Sequence, residues 1–196
     1  SLELEVAADT LIPRPDTELL VETALQLLSA APARVLDLGT GTGAIALALA
    51  TERPAWQVCG VDRIEAAVRL AERNRLRLGL HNAAFTLSDW FAGLNGERFQ
   101  MIVSNPPYIP ASDPHLLQGD VRFESALIAG ADGLDDIRTI IAQAAAHLQS
   151  GGWLLLEHGY DQAEAVHMLL LSRGFEDVQS RLDLGGHERI SLGRLP

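Results

Sequence analysis

A parallel α/β sheet, covered by helices on both faces and completed by an antiparallel strand, is predicted by three features of the sequence. Short apolar runs alternate with amphipathic segments from about residue 33 onward, the order that builds β-α-β units. The first run ends in a glycine turn, Gly39–Gly43, and the second ends in an acid, Asp62. The last two extended runs flank Gly185-Gly186, a signal for a hairpin that turns the chain back.

The elements follow in order. Asp16 is placed to N-cap a helix running to about Ala30, with Leu19, Leu20, Thr23, Ala24, Leu27 and Leu28 at helical spacing. Arg34–Leu38 reads as the first strand, Ala44–Glu52 as a helix and Trp56–Val61 as the second strand. Ile64–Leu78 is helical, with Ala67, Leu70, Ala71, Asn74 and Leu78 on one face and Gly79 as its stop. Ala83–Leu87 and Phe99–Ser104 read as strands on either side of the turn-rich stretch Ser88–Arg98. Asp135–Leu148 is a helix striped by Ile137, Ile140, Ile141 and Ala144, and Gly151-Gly152 is expected to separate it from a strand over Trp153–Glu157. Asp161–Arg173 is the last helix, and Phe175–Leu184 pairs with His187–Leu195 in the hairpin. Asn105 to Gly133 has no clear periodicity and holds four of the nine prolines, and loops of that length are often functional.

At 196 residues the chain has the length of one domain. Its 47% hydrophobic and 21% charged residues exclude disordered, collagenous and coiled-coil classes. The formal charge of −11 repels phosphate backbones, so no direct nucleic-acid partner is expected. The single cysteine, Cys59, cannot form an internal disulfide, which fits a reducing compartment, and no signal peptide or membrane span is read; a cytoplasmic monomer is expected. The six histidines show no metal-ligand spacing, so no metal is expected. His158, beside the expected crevice, is read as supporting a loop, and Arg69, Arg73, Arg75 and Arg77 as a solvated face.

The glycine turn and its acid point to a nucleotide-like ligand. Glycines where a strand enters a helix let the backbone turn sharply and approach a ligand closely. Asp62, 23 residues beyond Gly39, is spaced to accept hydrogen bonds from ribose hydroxyls. Gly39-x-Gly41-x-x-Ala44 satisfies a dinucleotide fingerprint, whereas Asp37 followed by Gly39-x-Gly41-x-Gly43 resembles motif I of the S-adenosylmethionine methyltransferases. The turn alone leaves both cofactors open.

Asn105-Pro106-Pro107-Tyr108, at the end of the fourth strand, narrows the choice. A planar amide or base NH2 is a poor nucleophile and must be held with its face toward an incoming methyl. The Asn105 side-chain oxygen can accept one N–H and the Pro106 carbonyl the other. The two prolines stiffen the backbone and bring no N–H to compete. Tyr108 offers a flat surface for stacking. Asn105, Pro106 and Tyr108 are thus the candidate catalytic residues, and together with Pro107 they form the substrate-binding turn.

This tetrapeptide resembles the [DNS]-P-P-[YFW] motif of amino- and amide-methyltransferases, and further blocks resemble one family, the release-factor glutamine N5-methyltransferases. They include Leu11-Ile12-Pro13-Arg14-Pro15-Asp16-Thr17-Glu18, Ser88-Asp89-Trp90-Phe91, Gly119-Asp120-Val121-Arg122-Phe123-Glu124, Ala129 to Ile137 and Gly151 to Gly159. The resemblance implies a Rossmann-like class I methyltransferase fold, a seven-stranded, mostly parallel sheet with an antiparallel terminal strand. It implies S-adenosylmethionine held by Gly39, Thr40, Gly41, Thr42, Gly43, Asp62, Trp90 and Asn105, with Asp89 nearby, and S-adenosylhomocysteine as product. The implied partner is a class-1 peptide-chain release factor, methylated on the glutamine of its Gly-Gly-Gln loop. In this scheme residues 1–33 lead into the catalytic domain and 34–196 form the methyltransferase core. The family's helical N-terminal domain is expected to be missing from this chain, and the segment after Glu124 looks shortened, since the family has Pro where Ser125 stands. The rival reading, an amino-methyltransferase acting on adenine or cytosine, uses the same tetrapeptide, and the acidic charge weighs against it.

Overall fold

The strands β1 (Ala33–Leu38), β2 (Trp56–Asp62), β3 (Ala83–Leu87), β4 (Phe99–Ser104), β5 (Leu148–Glu157), β6 (Glu176–Leu182) and β7 (Glu188–Arg194) form one seven-stranded sheet in the order β3-β2-β1-β4-β5-β7-β6. Helices α1 (Pro15–Leu27), α2 (Ala44–Glu52), α3 (Glu65–Arg77), α4 (Asp135–His147) and α5 (Ala163–Ser172) cover it. The structure, a computed structural model, describes residues 15–107 and 130–196, with side chains from residue 17. Residues 1–14 and 108–129 lie outside the description, and with them Arg14, Tyr108, Asp120, Arg122 and Glu124.

The period-2 alternation of the strands divides the core in two. Val35, Val58, Met101 and Val103 face α1 and α2, where Leu20, Ala24, Ile45, Leu47 and Leu49 meet them. Leu36, Leu38, Ile102, Leu154 and Leu156 face the other way, against Ile137, Ile140 and Ile141 of α4 and Val166 and Leu170 of α5. Adjacent strand residues thus bury themselves on opposite faces, which is why the runs read as continuously apolar rather than alternating.

β1, β2, β3, β4 and β5 run parallel to one another, and β7 pairs antiparallel with both β5 and β6. The reversing strand of the hairpin is therefore built into the sheet, with β6 at the edge. β1 leads through α2 to β2 on one side and lies against β4 on the other. This is the point where strand order reverses, and open α/β sheets bind ligands outside the carboxyl ends of their strands there.

Three expectations need correction. α1 already includes Pro15 and Asp16, so Asp16 lies in the first turn rather than capping it, and proline's fixed φ suits that position. The helix also ends at Leu27 rather than near Ala30. The pair Gly151-Gly152 does not separate α4 from a strand: β5 starts at Leu148, directly after the helix, and runs through the glycines. They take up a bulge instead, for Phe99 pairs with Leu148 and Met101 already with Trp153. Gly151, at φ +77°, turns its amide to the Leu195 carbonyl, and a Cβ on Gly152 would come within 2.9 Å of the Gln149 carbonyl.

Gly60, in the middle of β2, is demanded both by its pairing partner in β3 and by the glycine turn. A Cβ there would lie 2.5 Å from the Phe85 ring and 2.6 Å from Thr40 Oγ1. Gly60→Ala should therefore lower stability by about 1–3 kcal/mol through overpacking, read as a reduced urea midpoint with an unchanged m-value.

Candidate functional site

β1 and β4 end side by side, with Leu38 paired to Ser104. The Ser104 hydroxyl donates to the Leu38 carbonyl at 2.7 Å, so the two turns that follow, Gly39–Gly43 and Asn105–Pro107, open from adjacent strand ends. Pro106 is buried, while Asn105 and Pro107 are half-buried.

The glycine turn depends on left-handed backbone: Gly39, Gly41 and Gly43 have φ of +71°, +57° and +83°, a region that L side chains rarely adopt. It is fastened underneath to β2, because the amides of Gly39 and Thr40 both donate to the Val61 carbonyl at 2.9 Å. A Cβ on Gly43 would meet Phe85, Ala71 and Leu47 at 3.0–3.1 Å, whereas one on Gly41 would meet nothing within 4 Å. The turn is packed on its inner side and open at Gly41.

Asp62 is brought to this turn. Its Oδ2 accepts the Gly41 amide at 3.0 Å and its Oδ1 accepts the Ile64 amide at 2.9 Å. The carboxylate thus braces the loop, and each oxygen keeps a lone pair for a further donor. Trp90 is brought in as well: the edge of its ring would lie 3.5 Å from a Cβ on Gly39. Its backbone stands at φ +46°, a strained setting for a bulky residue. Ser88 holds it there, donating its hydroxyl to the Trp90 carbonyl at 2.8 Å and accepting the Gly93 amide at 2.9 Å. The Trp90 side chain hydrogen-bonds Asp136 in the first turn of α4, and burial pushes that carboxyl above its usual range. Asp89 is exposed, and its charge also acts on Asp136.

Asp37 lies beneath the turn, fully buried. Its Oδ2 accepts the Thr40 hydroxyl at 2.7 Å, and its Oδ1 has no hydrogen-bond partner. Burial pushes its pKa up to about 7, against the pull of Thr40 and the Ala46 amide, with Asp62 adding a push upward.

The structure therefore brings together Gly39, Thr40, Gly41, Thr42, Gly43, Asp62 and Trp90, and sets Asn105, Pro106 and Pro107 beside them. Tyr108 lies outside the described residues. Two supporting residues were not recognised as such in the sequence. Asn74, fully buried, donates its amide to the Thr42 carbonyl at 3.0 Å; a polar residue on the apolar stripe of a helix is the signal that marks it. Ser88 gives no comparable signal. Among the described residues no His, Cys, Asp and Glu cluster could hold a metal ion, and no helix is long and apolar enough to cross a membrane.

At the end of β5, His158 is fully buried and supports the rim of the crevice. Its Nδ1–H donates to the Gly159 carbonyl at 2.8 Å, so its Nε2 accepts the Ser191 hydroxyl at 2.7 Å, a neutral tautomer fixed on both sides. The Gly159 amide then donates to Gln162 Oε1 at 2.8 Å, and the Gln162 amide reaches the Asp132 carbonyl at 3.2 Å. This chain of bonds ties the ends of β5 and β7 to the segment before α4.

Comparison with known proteins gives concordant likenesses. The family model Methyltransferase small domain matches residues 15–122. The release factor glutamine methyltransferase of Pseudomonas aeruginosa is 69% identical over 196 residues, covering 99% of this chain and 71% of that protein. A crystal structure of a release factor-specific protein-(glutamine-N5) methyltransferase from Alicyclobacillus acidocaldarius is 33% identical, covers 98% of this chain and 99% of its own, and superposes with a TM-score of 0.59. A 16S rRNA N2 G1207 methyltransferase from Thermus thermophilus, in complex with AdoMet and guanosine, is 25% identical with a TM-score of 0.70, over 94% of this chain and 44% of that one.

Burial holds the His158 imidazole below its ordinary 6.5, so the folded protein takes up this proton less readily than the unfolded chain. Its contribution is full above about pH 6.5 and is lost as pH falls below that value. A His158→Gln variant should lose less stability than the parent on acidification, compared by urea denaturation at about pH 7.5 and about pH 5.5.

Proposed function

The chain belongs to the methyltransferase small-domain family and, within it, to the release factor glutamine methyltransferases, and we propose that it methylates the side-chain nitrogen of the glutamine in the Gly-Gly-Gln loop of class-1 release factors. The observation that carries this reading is the pairing of Leu38 with Ser104. It sets a loop shaped for a cofactor beside a turn shaped for a planar amide.

S-adenosylmethionine would fit the loop and would supply a methyl group on a positively charged sulfur. A backbone that is open at Gly41 but packed beneath Gly43 admits close approach from one side only. Asp62 has lone pairs left for ribose hydroxyls, the Trp90 ring flanks Gly39, and Asp37, Asp62 and Asp89 suit a cationic ligand. On the substrate side, Asn105 and Pro106 accept the two N–H bonds of the target amide and hold its face toward the methyl. Positioning carries much of the rate, since well-oriented reactants gain about 7–11 kcal/mol relative to free solution. The nitrogen's excess proton leaves to solvent after transfer. Mass spectrometry of a release factor incubated with enzyme and cofactor tests this directly, with a single added methyl on the Gly-Gly-Gln glutamine as the expected result.

Two variants divide the site. Asp62→Ala should weaken S-adenosylmethionine binding about tenfold or more, the loss of a charge-assisted hydrogen bond, as measured by calorimetry on folded protein. Asn105→Ala should abolish most methyl transfer with a much smaller effect on cofactor affinity. The same pair of acceptors should reject a release factor carrying Glu at the target position, since sites that pair a substrate's N–H groups discriminate by about 10⁴–10⁵. Near-normal turnover by Asn105→Ala would sink the amide-holding mechanism.

A further inference from the structure

Asp37 is placed unlike the other acids of the site. It is fully buried, its Oδ1 makes no hydrogen bond, and its single side-chain partner is the Thr40 hydroxyl, inside the turn that the cofactor would lie against. The groups facing it come from each neighbouring element. α2 brings the Ala46 amide and β2 brings the Asp62 carboxylate. Cys59, also on β2, has a thiol pushed up to about 11 and stays neutral. β4 brings Val103, directly in register with Asp37. Among the described residues, none of the groups named as acting on Asp37 is a cation.

A carboxylate buried without a counter-ion holds its proton, and an opposite charge brought close releases it. We propose that Asp37 balances the charge of the cofactor: binding of S-adenosylmethionine drives the Asp37 proton into solvent, and conversion of the sulfonium to the neutral thioether of S-adenosylhomocysteine lets a proton return. This rests on the cofactor reading above. It makes Asp37 a positioning residue whose charge state follows the methyl group, so that it acts through Thr40 and the glycine turn rather than by touching the substrate.

The sign follows from linkage. With its pKa at about 7, Asp37 is half protonated in the free protein at neutral pH. The complex with S-adenosylmethionine binds fewer protons, so affinity falls as pH drops through 7 and levels off above it. The limit is about tenfold per pH unit on the acid side, and about half a proton is released at pH 7.

Isothermal titration calorimetry on the whole chain, in buffers of equal pH and different ionisation heat, counts that proton. The parent should release about half a proton more with S-adenosylmethionine than Asp37→Asn does near pH 7. The ligand's own amine contributes equally to both proteins and cancels. The asparagine keeps an acceptor for Thr40, and its affinity should be independent of pH where the parent's is not. If Asp37→Asn does not fold, the parent alone decides: after correction for each ligand's amine, S-adenosylmethionine should release a proton fraction that S-adenosylhomocysteine does not. Equal proton counts for the two proteins, or for the two ligands, would overturn the inference while leaving the cofactor reading intact. Failure of the parent to bind S-adenosylmethionine at all would overturn both.

Discussion

The site depends on one constraint, the position of β1 between β2 and β4. Chain connection runs outward from β1 to β2 and β3, then crosses back to β4 on the other side. Two turns leave the β1–β4 seam from paired residues, Leu38 and Ser104, and the Ser104 hydroxyl closes on the Leu38 carbonyl. The spacing between the glycine turn and the Asn105–Pro107 turn is thus a property of strand register. It does not depend on the loops finding each other.

Holding backbone in unfavourable conformations requires support from outside the strained residues. Here the support is polar and mostly buried. Val61 accepts two amides of the glycine turn, Asp62 accepts a third, and Asn74 and Asp37 grip Thr42 and Thr40 from below. Ser88 performs the same service for Trp90 from both sides. Each bond is short-range, yet the partners come from β1, β2, α3 and the turn after β3. The loop therefore reaches its shape only when the sheet and one helix layer are assembled around it.

Much of this was legible in the sequence, for physical reasons that differ by element. The parallel strands were readable because burial on two faces leaves an uninterrupted apolar run, and the glycine turn because left-handed backbone restricts residue choice so sharply. The spacing of Asp62 was readable as that of an acid beside the glycine turn, but its bonds to the Gly41 and Ile64 amides were not, since backbone donors leave no mark on composition. Gly151-Gly152 misled because the same pair serves equally to end a helix and to absorb a bulge; only the neighbouring strand, which advances two residues while β5 advances five, distinguishes them. Asn74 sat in plain view on a hydrophobic stripe, and its polarity was the clue to a buried acceptor across the α3 interface.

The placement of β7 has a consequence for how the molecule comes into being. β7 lies between β5 and β6 and supplies Ser191 to the buried His158, yet of all the described elements it is the last to be synthesised. A nascent chain that has completed β5 exposes an open edge of Leu154, Leu155 and Leu156, and open apolar edges invite pairing with other chains. The support of His158 and the covering of the β5 edge are thus made by the same strand. Any chain that lacks this strand leaves the sheet unfinished along β5.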